Sequence, residues 1–163
     1  MTRRQMLLAL TQAGTTGGGV LVLIFTRTDC PISNRYAPEL RRLFTQYAAG
    51  GVEFKLVYPE LGITQDKVDR HRAEFGYPMP GVADPGHRHV REAQAAITPE
   101  VAVFVKGQLV YRGRIDDRFA SLSQARPEPA SHDLEDVLRT LASGRTPPAR
   151  FTKAVGCVIE KLP

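Results

Sequence analysis

Six consecutive apolar residues, Val20-Leu-Val-Leu-Ile-Phe25, constrain this chain more than any other feature. The run is partly β-branched, follows a glycine cluster, and offers no polar side chain to a wet face. Such a segment suits a strand covered on both sides. It predicts the middle of a sheet with helices on each face.

After residue 30 the spacing turns helical. Leu40, Leu43, Phe44 and Tyr47 share one face, and Gly50-Gly51 closes the helix. These side chains, with Tyr36, read as core rather than as a ligand-binding box. Val52 to Tyr58 alternates well enough for a second strand. A weaker helix follows from about Thr64 to Phe75, with Asp66 in its first turn, where the helix dipole favours an anion. Pro78-Met79-Pro80-Gly81 is a turn, Val82-Ala83-Asp84 a short edge strand, and Gly86 to Ala96 another short helix. Val101 to Val105 and Leu109 to Tyr111 flank a Lys106-Gly107 turn as a hairpin. Arg126-Pro-Glu-Pro129 is a loop. Ser131 and Asp133 start a last helix, with Leu134, Val137, Leu138 and Leu141 inward and Gly144 closing it. Helices between the early strands demand parallel crossovers, and the hairpin adds antiparallel pairs. The expected fold class is therefore α/β, a mixed central β-sheet with helices on both faces.

A chain of 163 residues can hold one such domain with a proper core. Three parts are expected: an extension over 1–18, the domain over 19–144, and an irregular tail over 145–163 that carries Cys157. Arg3-Arg4 ahead of Met6-Leu-Leu-Ala-Leu10 looks like the beginning of an export signal, but the apolar run breaks at Thr11-Gln12. No cleavable signal fits without cutting into the first strand. The chain reads as cytoplasmic as written, or as periplasmic or otherwise extracytoplasmic if 1–18 is the remnant of a longer signal. No stretch is long and apolar enough for an integral membrane segment. The net charge is +5, yet acidic residues sit among the basic ones. Arg41-Arg42 and Arg70-His71-Arg72 read as solvated helix faces, which argues against a nucleic-acid partner.

Two cysteines make neither a disulfide framework nor, without histidine help, a zinc site. A catalytic or redox-switching cysteine carries most weight. Cys30 stands between the buried strand and a helix whose first turn contains Pro31, where the missing amide hydrogen costs nothing. A sulfur there faces unpaired backbone N–H groups and the positive end of the helix dipole. Both favour the thiolate, which is the nucleophile.

The segment Asp29-Cys30-Pro31-Ile32-Ser33-Asn34-Arg35-Tyr36-Ala37-Pro38-Glu39-Leu40 resembles the active site of the thioredoxin-like superfamily. The Asp-Cys-Pro-Ile-Ser-Asn version, together with Tyr111-Arg-Gly-Arg-Ile-Asp-Asp117, looks like bacterial redoxins of the alkyl hydroperoxide reductase and thiol-specific antioxidant (peroxiredoxin-like) type. The likeness covers roughly Gly19 to Gly144. It implies that Cys30 is the attacking cysteine, that Ser33 occupies the second cysteine position, and that Thr98-Pro99 carries a cis-proline facing the sulfur. It further implies a thiol-based oxidoreductase acting on peroxides or protein disulfides, with an external thiol reductant and no cofactor or metal. Two departures stand out. Leu23 and Arg27 occupy the positions where peroxiredoxins place a proline and a hydroxyl residue, and Ser33 rules out a dithiol within the motif. Arg27 or Arg114 could stabilise the thiolate instead.

Cys157 is then the one internal thiol that could resolve a sulfenic acid or a mixed disulfide on Cys30. Its Val and Ile neighbours equally suit a buried small hydrophobe. Arg112 and Arg114 alternate along a strand and are expected in surface ion pairs with Asp116 or Asp117. His71, His87, His89 and His132 show no metal-ligand spacing and are expected at the surface. Two other classes remain: a non-catalytic thioredoxin-like binding domain and a copper-handling module. The latter is disfavoured because Thr26 replaces the first cysteine of the soft-metal pair.

Overall fold

The computed structural model describes residues 19–163, so the expected export-signal remnant over 1–18 lies outside the described residues. Strand β1 (Val20–Phe25) lies inside a six-stranded sheet. Its neighbours are β2 (Val52–Tyr58), parallel to it, and β5 (Glu100–Val105), antiparallel. Beyond β2 lies β3 (Gly81–Ala83), and beyond β5 lies β6 (Gln108–Gly113). The sheet is mixed, as the sequence pattern requires.

Alternation along the strands sends side chains to two separate cores. Val22, Ile24, Phe54, Leu56, Val101 and Val103 face one layer, and Leu23, Phe25, Val57, Ala102 and Phe104 the other. The first layer is covered by α1 (Pro31–Arg35) and α2 (Ala37–Tyr47), by α3 (Gln65–Phe75), and by α5 (Asp133–Ala142). The second is covered by the short α4 (Arg88–Ala93) and by Ile159 of the tail. Helices thus lie on both faces, unequally.

The helix after Cys30 is divided. Pro38 can neither donate a hydrogen bond to Asn34 nor sit one turn above its carbonyl without a clash, so α1 stops and α2 restarts after Tyr36. Leu40, Leu43 and Tyr47 are buried from α2, and Phe44 packs edge-on to Phe54. Thr64 caps α3, its hydroxyl accepting from the Lys67 N–H, and Gly76 closes it in the left-handed conformation. The helix expected from Gly86 to Ala96 is shorter, because Asp84 gathers the Arg88, His89 and Val90 amides and Gln94 turns left-handed.

Three parts of the chain depart from the sequence reading. A small hairpin, β7 (Phe119–Ser121) with β8 (Gln124–Ala125), precedes the expected loop. The tail is not irregular. Its β9 (Arg150–Phe151) adds to the sheet parallel to β6, and its β10 (Cys157–Val158) pairs antiparallel with β4 (Ile97–Thr98). His71 and His87 are buried, because each finds hydrogen-bond partners inside: Tyr58 and Asn34 for His71, the Pro59 carbonyl for His87. No helix among the described residues is long and apolar enough to cross a membrane.

Candidate functional site

Cys30 caps α1 and has no exposed surface. Its Sγ lies 3.3 Å from the Thr98 carbonyl oxygen and 2.8 Å from Cys157 Sγ, and both cysteines are free thiols. Residues from three distant parts of the chain meet here. Cys30 arrives at the end of β1, Thr98 at the end of β4, and Cys157 in β10 directly opposite Thr98. The Thr98–Pro99 peptide is cis.

The loop carrying Thr98 is tied down by Glu100. Its buried carboxylate accepts from the Ala96 and Ile97 amides at 2.7 and 3.1 Å and lies 3.7 Å from Arg112. The loop carrying Cys30 is tied down by Asn34, whose amide donates to the Thr28 carbonyl while its oxygen accepts from His71 Nε2. Thr28 is further held by Glu60, which takes both its N–H and its hydroxyl. The tail is fixed at Thr152, whose hydroxyl accepts from the Arg114 N–H and bonds the Tyr111 hydroxyl. Downstream, the Ile159 N–H donates to the Ala96 carbonyl.

Burial alone would push the Cys30 thiol up. It is outweighed by the Cys157 thiol that donates to this sulfur and by the nearby Ser33 hydroxyl and N–H and Thr98 hydroxyl, which favour the thiolate, so the thiol is more acidic than an ordinary cysteine. The buried Ser33 hydroxyl has no partner of good geometry while Cys30 is protonated, which leaves it free to turn to the thiolate. Cys157 moves the other way. Burial and the hydrogen bond it donates to Cys30 push it up to about 11. The pair therefore loses its first proton from Cys30 and keeps the second on Cys157.

No protein-family model matches the chain, and neither does any curated protein. Solved structures do. An uncharacterized conserved protein from Geobacillus kaustophilus is 25% identical, with a TM-score of 0.77 over 90% of this chain and 79% of its own. An uncharacterized thioredoxin-like protein from Porphyromonas gingivalis is 18% identical, with a TM-score of 0.56 over 78% and 77%. The thioredoxin domain of a thiol-disulfide oxidoreductase from Bacteroides vulgatus is 11% identical, with a TM-score of 0.55 over 77% and 81%. This chain has a thioredoxin-like fold.

Within the thioredoxin-like domain, Cys30, Ser33, Thr98, Pro99 and Cys157 come together, and Arg114 does not join them. Its guanidinium is engaged by Asp133 at 2.7 Å and by the Ser131 hydroxyl at 3.2 Å. Asp133 also takes Arg150 from the tail, so a buried carboxylate, and no sulfur, draws both cations. Arg112 pairs with Glu100 rather than with Asp116 or Asp117. Arg27 is held by Asp29 and Glu160. Asp116 serves instead as the buried acceptor for the Tyr36 hydroxyl at 2.5 Å. A second acidic group, Glu39 and Glu135 beside His132, is bridged by Arg42, with 2.7 Å to each carboxylate. Thr26 is buried and brings no sulfur to the site.

Glu60, His71, Glu100 and Gly156 were not singled out from sequence as site residues. The one available signal was the buried-strand pattern around Glu100: an acidic residue opening a strand as apolar as Val101–Val105 needs a local amide partner.

Proposed function

We propose that this chain is a thiol–disulfide oxidoreductase that cycles between a Cys30/Cys157 dithiol and an internal Cys30–Cys157 disulfide. The observation that carries the reading is the 2.8 Å approach of two sulfurs placed 127 residues apart, one at a helix start and the other on a tail strand. The Bacteroides vulgatus neighbour is a thiol-disulfide oxidoreductase, which supports the same chemistry here. The Cys30 thiolate attacks one sulfur of a substrate disulfide, forming a mixed disulfide and releasing the other sulfur as thiolate. Cys157, losing its proton to that leaving group, attacks Cys30. The internal disulfide forms and the substrate's second thiolate departs, so two electrons pass from the cysteine pair to the substrate. An external thiol reductant restores the dithiol by the reverse exchange.

A second reading is favoured by the complete burial of Cys30, which suits a small oxidant. A hydroperoxide would transfer one oxygen to the Cys30 thiolate and leave as alcohol or water. The sulfenic acid would then condense with the Cys157 thiol, losing water. Against it, Arg27 occupies the position of the expected pocket hydroxyl and is spent on Asp29 and Glu160.

The test is a parallel assay with a protein disulfide and with a hydroperoxide, using native protein, Cys30→Ser and Cys157→Ser. Turnover of the disulfide that disappears in Cys30→Ser, with a Cys30–Cys157 link found by mass spectrometry, supports the first reading. Turnover of peroxide alone selects the second. Activity retained in Cys30→Ser overturns both.

A further inference from the structure

The residue before Cys157 is Gly156, and its surroundings admit no side chain. A Cβ built there would fall far inside van der Waals contact distance of the Thr98 carbonyl oxygen, 2.7 Å from the Thr98 carbonyl carbon and 3.0 Å from Pro99 Cδ. Two of these obstacles are backbone atoms and the third is a proline ring, so none can rotate away. Gly156 is not among the glycines with positive φ, so an L-residue could adopt its backbone conformation. Only the closeness of approach calls for glycine here. That approach is made where β10 joins β4, in the residue that delivers Cys157.

We propose that Gly156 is a positioning residue for the cysteine pair. Its missing side chain lets the tail lie flat on the Thr98–Pro99 loop and so fixes how near the Cys157 sulfur stands to Cys30. The proposal rests on the reading of Cys30 and Cys157 as a redox pair and adds the residue that seats the second thiol. A methyl group at 156 must retreat by about 1.5 Å or more to reach ordinary contact distance. It carries Cys157 with it, away from a sulfur that must close to about 2.05 Å for the bond to form. The reaction step at stake is the second one: attack of Cys157 on a Cys30 mixed disulfide, with the substrate thiolate leaving. A displacement of that size lowers the rate of an oriented reaction by up to about 100-fold. The first step moves the opposite way, because Cys30 is reached from outside only when the tail is lifted.

The experiment treats reduced native protein, Gly156→Ala and Gly50→Ala with oxidised glutathione, and follows each cysteine by acid quench and mass spectrometry. Gly50 has nothing within 4 Å of its added Cβ and serves as the control for loss of a glycine as such. In Gly156→Ala the glutathione adduct on Cys30 should persist about 10 to 100 times longer before the internal disulfide forms. Its Cys30 alkylation profile should also move to higher pH, because Cys157 no longer donates to that sulfur. A merely structural role would leave that profile unchanged. Closure within about threefold of native, an unmoved profile, or equal slowing in Gly50→Ala overturns the proposal. So does failure of Gly156→Ala to fold, since the tail must yield before the sheet does. A native chain that never forms the internal link overturns the redox-pair reading itself, a different outcome from any of these.

Discussion

Because Cys30 has no exposed surface and Cys157 of the tail lies against its sulfur, its reaction with an external reagent should report how often the tail lifts, and Ile159, the tail residue in the second core, should govern much of that frequency. Ile159 is 7% exposed and packs into the second core with Ala93, Ala95 and Phe104. The other tail contacts near the sulfurs include a two-residue ladder to β4, a Thr98 hydroxyl donating to the Cys157 carbonyl at 3.4 Å, one backbone hydrogen bond to Ala96, the packing of Val155 and Cys157 against the first core, and an Arg27–Glu160 pair at 3.5 Å. An exposed pair of that kind contributes little. Ile159→Ala removes three buried carbons, worth about 2 kcal/mol at roughly 0.8 kcal/mol each after allowing for the residual exposure. At about 1.4 kcal/mol per decade, the open population rises about 30-fold. The assay is peptide-resolved alkylation of Cys30 with limiting iodoacetamide at fixed pH, where opening and closing are fast relative to reaction. The Cys30 rate should climb about 30-fold, and because the docked chain loses the same packing relative to the unfolded one, the thermal midpoint should fall by several degrees as well. A Cys30 rate within about threefold of native would refute the claim that the tail is what covers the sulfur.

Three further outcomes follow from the geometry. The alkylation rate of Cys30 should titrate below the ordinary cysteine value, and Cys157→Ala should move that midpoint to higher pH by removing the donor to Cys30. A midpoint at or above about 8.5 in native protein contradicts the thiolate site. Tyr36→Phe strips the buried Asp116 of its hydroxyl donor, leaving the Arg118 N–H at 2.8 Å, and should cost about 1–3 kcal/mol. Thermal unfolding several degrees lower checks this, and an unchanged Tm refutes it. Burial holds His71 neutral below the usual histidine range, so between its folded and unfolded values the unfolded chain binds more protons. Stability should therefore fall as pH drops below about 6.5, and urea unfolding of His71→Asn should show a shallower loss than native. Parallel curves for the two proteins refute that role.

The sheet was legible because burial on both faces leaves a plain mark: Val20–Phe25 and Val101–Val105 admit no polar residue, and the two strands sit together at its centre. Cys30 was legible for a local reason as well, since Pro31 and the change of period fix its place at a helix start. What the sequence pattern left out depends on contacts between distant segments. The strands of the tail are two residues long, too short for any period, and both exist only because an edge was waiting for them. Gly156 looks like any loop glycine until Thr98 is placed beside it. His71 and Arg114 were misplaced for the same reason. Their partners, Asn34 and Asp133, lie far enough away in sequence that no spacing rule connects them.

If Cys30 and Cys157 form the proposed disulfide, placing the second thiol on a tail strand rather than one turn along the helix couples two equilibria. The covalent link and the docked tail favour each other, so whatever weakens docking can also disfavour oxidation. The size of that effect depends on where the reduced chain stands. If the tail of the reduced protein is docked nearly all the time, Ile159→Ala weakens docking equally in both redox states, and the potential of the pair stays fixed while Cys30 alkylation rises. If the substitution leaves the reduced tail mostly lifted, the potential rises by up to about 40 mV, the equivalent of about 2 kcal/mol for two electrons. Measuring alkylation and potential on the same variant thus reads the docking equilibrium itself. A shift larger than about 40 mV would mean that Ile159 does more for the oxidised chain than its packing against Ala93, Ala95 and Phe104 can provide.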